Sequence, residues 1–222
     1  AFFLSFFAVV CGLSAATSPL FDGKTLTGWD GDLKVWRVED GAIVGGSLQG
    51  NPRNEFLTTK RSFFNFRLKF EYKLVGTEGF VNGGVQFRSL RTTNPPNEMI
   101  GYQADFAPGI DGFLYDESRR KRFLAIYDPE TGPTLAKPEG TSEAIKRAMQ
   151  MSQESAKKLM LDEWNRYKIR VEGSHIQLWV NDVKTVDYTE SDPGIPATGK
   201  IAIQIHGGAT EIRYRNISIE EL

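Results

Sequence analysis

The 222-residue chain balances 27 Lys and Arg against 28 Asp and Glu, for a formal net charge of −1. That balance leaves no electrostatic footprint for nucleic acid or for an anionic membrane surface. With 12% aromatic residues and 22 glycines, the composition fits a turn-rich β protein better than a helical bundle.

The chain opens on AFFLSFFAVVCGLSAATS, an uncharged apolar stretch that ends in small residues. This pattern predicts a secretory signal over residues 1–16 with cleavage after Ala16, hence a periplasmic or extracellular protein. A lipid anchor on Cys11 is the less favoured alternative, because Val10 before it is bulky. The stretch is too short for a transmembrane helix, and no membrane span is expected. Cys11 is the single cysteine, so residues 17–222 contain none and neither disulfides nor thiolates are expected there. The remaining chain, 17–222, has the size of one large β domain.

Beyond LFDGKTLTGW (Leu20 to Trp29), with its Asp-Gly and Thr-Gly turns, Val35 to Glu39 and Ala42 to Val44 flank Asp40-Gly41 as a tight hairpin. Glu55 to Thr59 is a further short strand. From Phe63 to Leu74, Phe64, Phe66, Leu68, Phe70, Tyr72 and Leu74 alternate with polar residues, which predicts a strand buried on one face. In Gly79 to Ser89, Val85 and Phe87 alternate with Gln86 and Arg88, and Asn82-Gly83-Gly84 marks a bulge, a turn or a close approach to a ligand.

The next stretch, GYQADFAPGIDGFLYDESRRKR (Gly101 to Arg122), is chemically the richest. Tyr102, Ala104 and Phe106 share one strand face, with Gln103 and Asp105 on the other. A Pro-Gly and Asp-Gly loop follows, and a short strand (Phe113 to Tyr115) carries Asp116, Glu117, Arg119 and Arg120 at its end. Carboxylates, an amide, a phenol and guanidinium groups gathered on strand ends are the material of a polar-ligand site.

Asp128 to Asp162 breaks the β pattern. Ile145, Ala148, Met149, Ser152, Ala156, Leu159 and Met160 follow helical spacing, which predicts an inserted amphipathic helix over about 139–161. Strands resume at Trp164, with Tyr167, Ile169 and Val171 alternating with Arg166, Lys168, Arg170 and Glu172. A hairpin then turns at Asn181-Asp182, between Ile176 to Val180 and Val183 to Tyr188. In Lys200 to His206, Ile201, Ile203 and Ile205 lie opposite Ala202, Gln204 and His206, and Glu211 to Glu220 is a last strand. Many short strands, one helical insertion and no βαβ rhythm predict an all-β antiparallel sandwich of the jelly-roll kind.

Gln86, Arg88, Gln103, Asp105, Gln204 and His206 all lie out of phase with the apolar residues of their strands. Adjacent strands would make these six tile one non-core face, a surface suited to sugar hydroxyls. A plain solvated face is the alternative reading, and alternation alone does not separate the two. No His/Cys/Asp cluster at zinc spacing, no EF-hand loop, no GxSxG elbow and no phosphate or dinucleotide loop occurs.

These motifs together carry a resemblance. LFDGKTLTGW, VNGGVQFR (Val81 to Arg88), GYQADF, GFLYDESRR (Gly112 to Arg120), EWNRYKIRVEGSHIQLWVND (Glu163 to Asp182) and GKIAIQIHGG resemble the 3-keto-disaccharide hydrolase domain family over nearly all of Leu20 to Leu222. The resemblance implies a concanavalin-like or laminarinase-like sandwich and cleavage of glycosides already oxidised at carbon 3. A ketone there acidifies the carbon-2 proton, so one base, an enolate stabiliser and a proton donor to the leaving oxygen suffice. The Glu-x-Asp-x-x-Glu signature of direct hydrolysis on such sandwiches is absent. The expected assignments are His206 or Asp105 as base, Arg88 and Arg120 as oxyanion stabilisers, and Glu117 or Tyr115 as acid. Gln86, Gln103, Gln204, Asn82 and Arg119 are expected to orient the substrate. The partner expected is an oxidised saccharide or glycoside. No cofactor or protein-held metal is expected, although a weakly bound divalent cation bridging the keto oxygen is compatible with the sequence. A non-catalytic carbohydrate-binding module is the competing expectation.

Overall fold

The computed structural model describes residues 16–76, 81–136 and 163–222. The expected signal segment (1–16, save its last residue) and the expected inserted helix (139–161) lie outside them. Among the described residues the chain is all strand and turn, arranged as two antiparallel sheets. The first sheet runs β14 (Val183–Thr189), β13 (His175–Val180), β12 (Asn165–Glu172), β6 (Phe66–Gly76), β16 (Gly208–Glu221), β4 (Ala42–Asn51) and β3 (Trp36–Glu39). The two-residue β1 (Ser18–Pro19) pairs on to β16. The second runs β11 (Gly132–Leu135), β10 (Arg122–Asp128), β9 (Leu114–Glu117), β8 (Met99–Phe106), β7 (Gly83–Arg91), β15 (Lys200–Ile205), β5 (Glu55–Thr59) and β2 (Trp29–Asp30).

Alternation decides which face of each strand is buried. Phe66, Leu68, Phe70, Tyr72 and Leu74 of β6 are all buried, while the residues between them are at least partly exposed. They meet Val85 and Phe87 of β7, Tyr102, Ala104 and Phe106 of β8, and Ile201, Ile203 and Ile205 of β15 in one core between the sheets. Tyr72 stacks on Phe106 at 4.2 Å and Phe70 on Tyr167 at 5.2 Å between ring centroids. Such pairs add about 0.5–1.5 kcal/mol beyond their burial. The core also ties the site's supporting strands together. The buried Tyr214 hydroxyl lies 2.9 and 3.0 Å from the carbonyl oxygens of Gly84 and Gln204.

Both predicted two-residue hairpins form. Asp40 and Gly41 have φ of 49° and 75°, and Asn181 and Asp182 have φ of 47° and 71°. Paired left-handed residues match the twist of antiparallel ribbons. Two expectations need correcting, and one strand escapes the sequence reading. Phe64 precedes the strand and is 53% exposed, because the ladder begins only at Phe66. The β pattern does not break at Asp128, since β11 continues the sheet and pairs with β10 from Ala125↔Leu135 to Asp128↔Gly132. β10 itself, an apolar Phe-Leu-Ala-Ile-Tyr run, is a strand that period-two reading passes over, because it packs into two clusters, Leu124 and Ala125 in the main core and Ile126 with Phe123 and Tyr127 against Ile110 and Phe113.

Candidate active site

Adjacent strands β9, β8, β7, β15 and β5 turn their non-core residues to the outer face of the second sheet. The register places Gln86 opposite Gln103, Gly84 opposite both Asp105 and Gln204, and Gln103 opposite Tyr115. A cleft of about 340 Å³ opens on this face, lined by Asn54, Asn82, Gln103, Asp105, Ile110, Tyr115, Glu117, Phe123, Gln204 and His206.

A directed hydrogen-bond chain forms its floor. Ser89 donates to Gln86 Oε1 at 2.7 Å, Gln86 Nε2 to Gln103 Oε1 at 2.6 Å, and Gln103 Nε2 to Asp105 Oδ1 at 2.6 Å. With the amides oriented this way, Asp105 accepts through Oδ1. Gly84 makes room for it. A Cβ there would lie 2.9 Å from Cγ and Cδ of Gln103, so only glycine lets that side chain lie across β7.

Burial sets the protonation of the carboxyl groups. Removal from water pushes Asp105 up to about 8, against the opposing hydrogen bonds from Gln103 and Asn82. Glu117 is pushed up to about 7, first by burial and then by the charge of nearby Glu98. Tyr115 is raised to about 12 by burial and by Glu117 and Asp105. His206 begins the segment after β15, and its Nδ1 lies 2.8 Å from the Gly207 carbonyl oxygen. Because a carbonyl only accepts, Nδ1 donates, and the neutral ring carries its lone pair on Nε2. The buried Gln204 Oε1 has no hydrogen-bond partner among the described residues. It is an acceptor awaiting a donor.

Seven of the expected site residues therefore line one cleft: His206, Asp105, Glu117, Tyr115, Gln103, Gln204 and Asn82. Gln86 lies beneath it, fully buried, and supports Gln103. The three arginines are elsewhere. On β9 the alternation that turns Tyr115 and Glu117 into the cleft turns Asp116 away, into complete burial. Arg119 and Arg120 fold back on to that carboxylate, and Arg120 also holds Glu190 at 2.7 Å. Arg88 leaves the alternation at a bulge between Phe87 and Leu90 and bonds to the Phe64 carbonyl.

Sequence reading missed Asn54, Ile110 and Phe123. Phe123 belongs to the overlooked β10, where it packs edge-on against Tyr115 at 5.2 Å. Its signal was the apolar run ended by Asp128-Pro129 and Thr131-Gly132. Asn54 and Ile110 lie in loops, whose direction no periodicity reports. No group of three His, Cys, Asp or Glu is placed to hold a metal ion among the described residues. No helix among those residues is long and apolar enough to cross a membrane.

Known proteins place this geometry. The chain is similar in fold to a protein from Parabacteroides distasonis ATCC 8503 described as a candidate glycosyl hydrolase. The TM-score is 0.61 at 20% identity, covering 93% of this chain and 94% of that one. It is similar to the carbohydrate-binding module CBM66 from Bacillus subtilis, with a TM-score of 0.57 at 13% identity, covering 89% and 98%. A laminarinase from Flavobacterium sp. UMI-01 shares the sandwich at a TM-score of 0.52 and 11% identity, covering 94% and 100%. Comparison with curated protein sequences finds no match. The sequence profile of the 3-keto-alpha-glucoside-1,2-lyase-like domain matches residues 16–220. With that profile spanning both sheets and every residue of the cleft, the chain belongs to the 3-keto-alpha-glucoside-1,2-lyase-like family of carbohydrate-active domains.

Proposed function

We propose that the cleft cleaves 3-keto-glycosides by elimination across carbons 1 and 2, outside the cytoplasm. One observation carries the reading. The cleft combines an imidazole with two carboxyl groups that burial raises well above the ordinary carboxylate range, to about 8 at Asp105 and about 7 at Glu117, instead of an ordinary ionised carboxylate pair. That set suits proton abstraction beside a ketone better than attack at a glycosidic carbon.

In this scheme His206 Nε2 takes the proton from carbon 2, and the C–H electrons move into an enolate whose charge rests on the carbon-3 oxygen. Asp105 donates from Oδ2 to that oxygen, since Oδ1 is held as acceptor by Gln103. The enolate then collapses, the bond from carbon 1 to the aglycone oxygen breaks, and Glu117 gives that oxygen its proton. The products are an unsaturated keto sugar and the free alcohol. Water added across the new double bond completes a net hydrolysis. Gln204 Oε1 accepts from a sugar hydroxyl, and Asn82 and Tyr115 bound the ring. Arg88, Arg119 and Arg120, held by other partners, take no part.

The test is incubation with a 3-keto-glucoside bearing a chromogenic aglycone, beside the unoxidised glucoside. Release from the keto compound alone is expected. Release from neither, with saccharide binding retained, would leave a carbohydrate-binding module in its place.

A further inference from the structure

We propose that Arg88 anchors a second binding site, for a small monocarboxylate, in a cavity separate from the cleft. The cavity, about 300 Å³, is lined by Arg88, Tyr102, Glu190, Pro193, Ile195 and Pro196 among others, and shares no lining residue with the cleft. Arg88 is 4% exposed. A charge so far removed from water is normally paired with an opposite one. Here no carboxylate lies within ion-pair distance of it among the described residues.

Its hydrogen bonds are correspondingly incomplete. A guanidinium has five N–H donors. Nε donates to the Phe64 carbonyl at 3.3 Å, and Nη2 donates to the same carbonyl at 3.1 Å and to Asn65 Oδ1 at 3.3 Å. The two on Nη1 have no partner among the described residues. The backbone here, within the bulge, takes an unfavourable form. Arg88 has a φ of 47°, and a Cβ on neighbouring Gly199 would come within 2.4 Å of the Arg88 carbonyl carbon.

The walls select the ligand class. Glu190 does not neutralise Arg88, because its oxygens are engaged by Arg120 and by the hydroxyls of Tyr102 and Tyr188 at 2.7 to 3.3 Å. The Glu190 and Asp192 carboxylates on the wall repel a dianion about twice as strongly as a monoanion, which favours the single charge. One guanidinium edge offers the charge for one carboxylate, and Tyr102, Ile195 and the two prolines offer an apolar surface for its body.

Calorimetric titration of the full chain at fixed ionic strength and pH 7 tests this, with sodium acetate, sodium glucuronate and inorganic phosphate as probes. A saturable one-to-one isotherm with a carboxylate is expected, weakened at least tenfold by Arg88→Met. Tighter binding of glucuronate than acetate assigns the carboxylate to a sugar acid, and equal binding assigns it to the carboxylate alone. Absence of saturable carboxylate binding, preference for phosphate, or binding retained in Arg88→Met overturns the proposal. If that variant does not fold, Ala197→Trp decides. It adds bulk at the exposed rim and leaves Arg88 in place, and it must abolish the isotherm.

Discussion

Gln103 donates to Asp105 Oδ1 at 2.6 Å while accepting from Gln86 at the same distance, so one buried amide both orients the carboxyl and is itself oriented. Gln103→Leu removes both bonds, strands Gln86 Nε2 without a partner and leaves Asp105 to Asn82 alone. Leaving a buried polar group unsatisfied costs about 1–3 kcal/mol. The variant should lose stability of that order in urea denaturation and lose turnover of the keto-glucoside by about tenfold or more. Unchanged turnover would mean that Asp105 needs no orienting.

His206→Ala separates catalysis from binding. General acid–base contributions run to about 10²–10⁴-fold, so release of the aglycone should fall by that factor while saccharide affinity changes little. Calorimetry and a chromogenic assay on the same preparation read both quantities. A parallel loss of affinity would instead make His206 a binding residue.

The raised carboxyls predict a particular pH dependence. Asp105 at about 8 and Glu117 at about 7 hold protons in the folded chain that the unfolded chain, with ordinary values of 3.8 and 4.5, has released. The unfolded state therefore binds fewer protons between those values, and stability falls as pH rises from about 4 to about 8. Urea midpoints across that range should decline in the wild type and decline less in Asp105→Asn, which has no proton to lose. Turnover should fall through about pH 7 as Glu117 gives up the proton it donates. Stability that rises with pH across that range, or turnover that does not fall above about pH 7, would contradict these environments.

Asp116 is fully buried beneath Arg119 and Arg120. Removing one partner of a buried ion pair costs about 3–5 kcal/mol, because the remaining charge is left uncompensated. Asp116→Ala should lower the urea midpoint by a corresponding amount, far more than Arg61→Ala at its exposed pairing with Glu221. Equal effects would show that the cluster is solvated.

Neighbouring residues show why the site was legible only in part. Tyr115, Asp116 and Glu117 are consecutive, and sequence reading grouped them with Arg119 and Arg120 as one polar cluster. The two-residue period of β9 divides that cluster between the cleft and a buried ion pair. Gln103, Asp105, Gln204 and His206 were legible because their strands are regular and their apolar neighbours mark the core face. Arg88 obeyed the same alternation on paper, but the bulge and its left-handed φ re-aim the side chain.

The sequence by itself determined the class of fold, the core face of β6, β7, β8, β12 and β15, both two-residue turns and the polar face that carries the cleft. All of these follow from local steric rules and from burying one face of a pleated strand. Only the tertiary structure decided which polar groups share the cleft and which charges pair out of reach of it. It also decided that Phe123 closes one side and that burial raises Asp105 and Glu117 above the ordinary carboxylate range. Those outcomes depend on strand order, register and depth from water, which arise from contacts between residues distant in the chain.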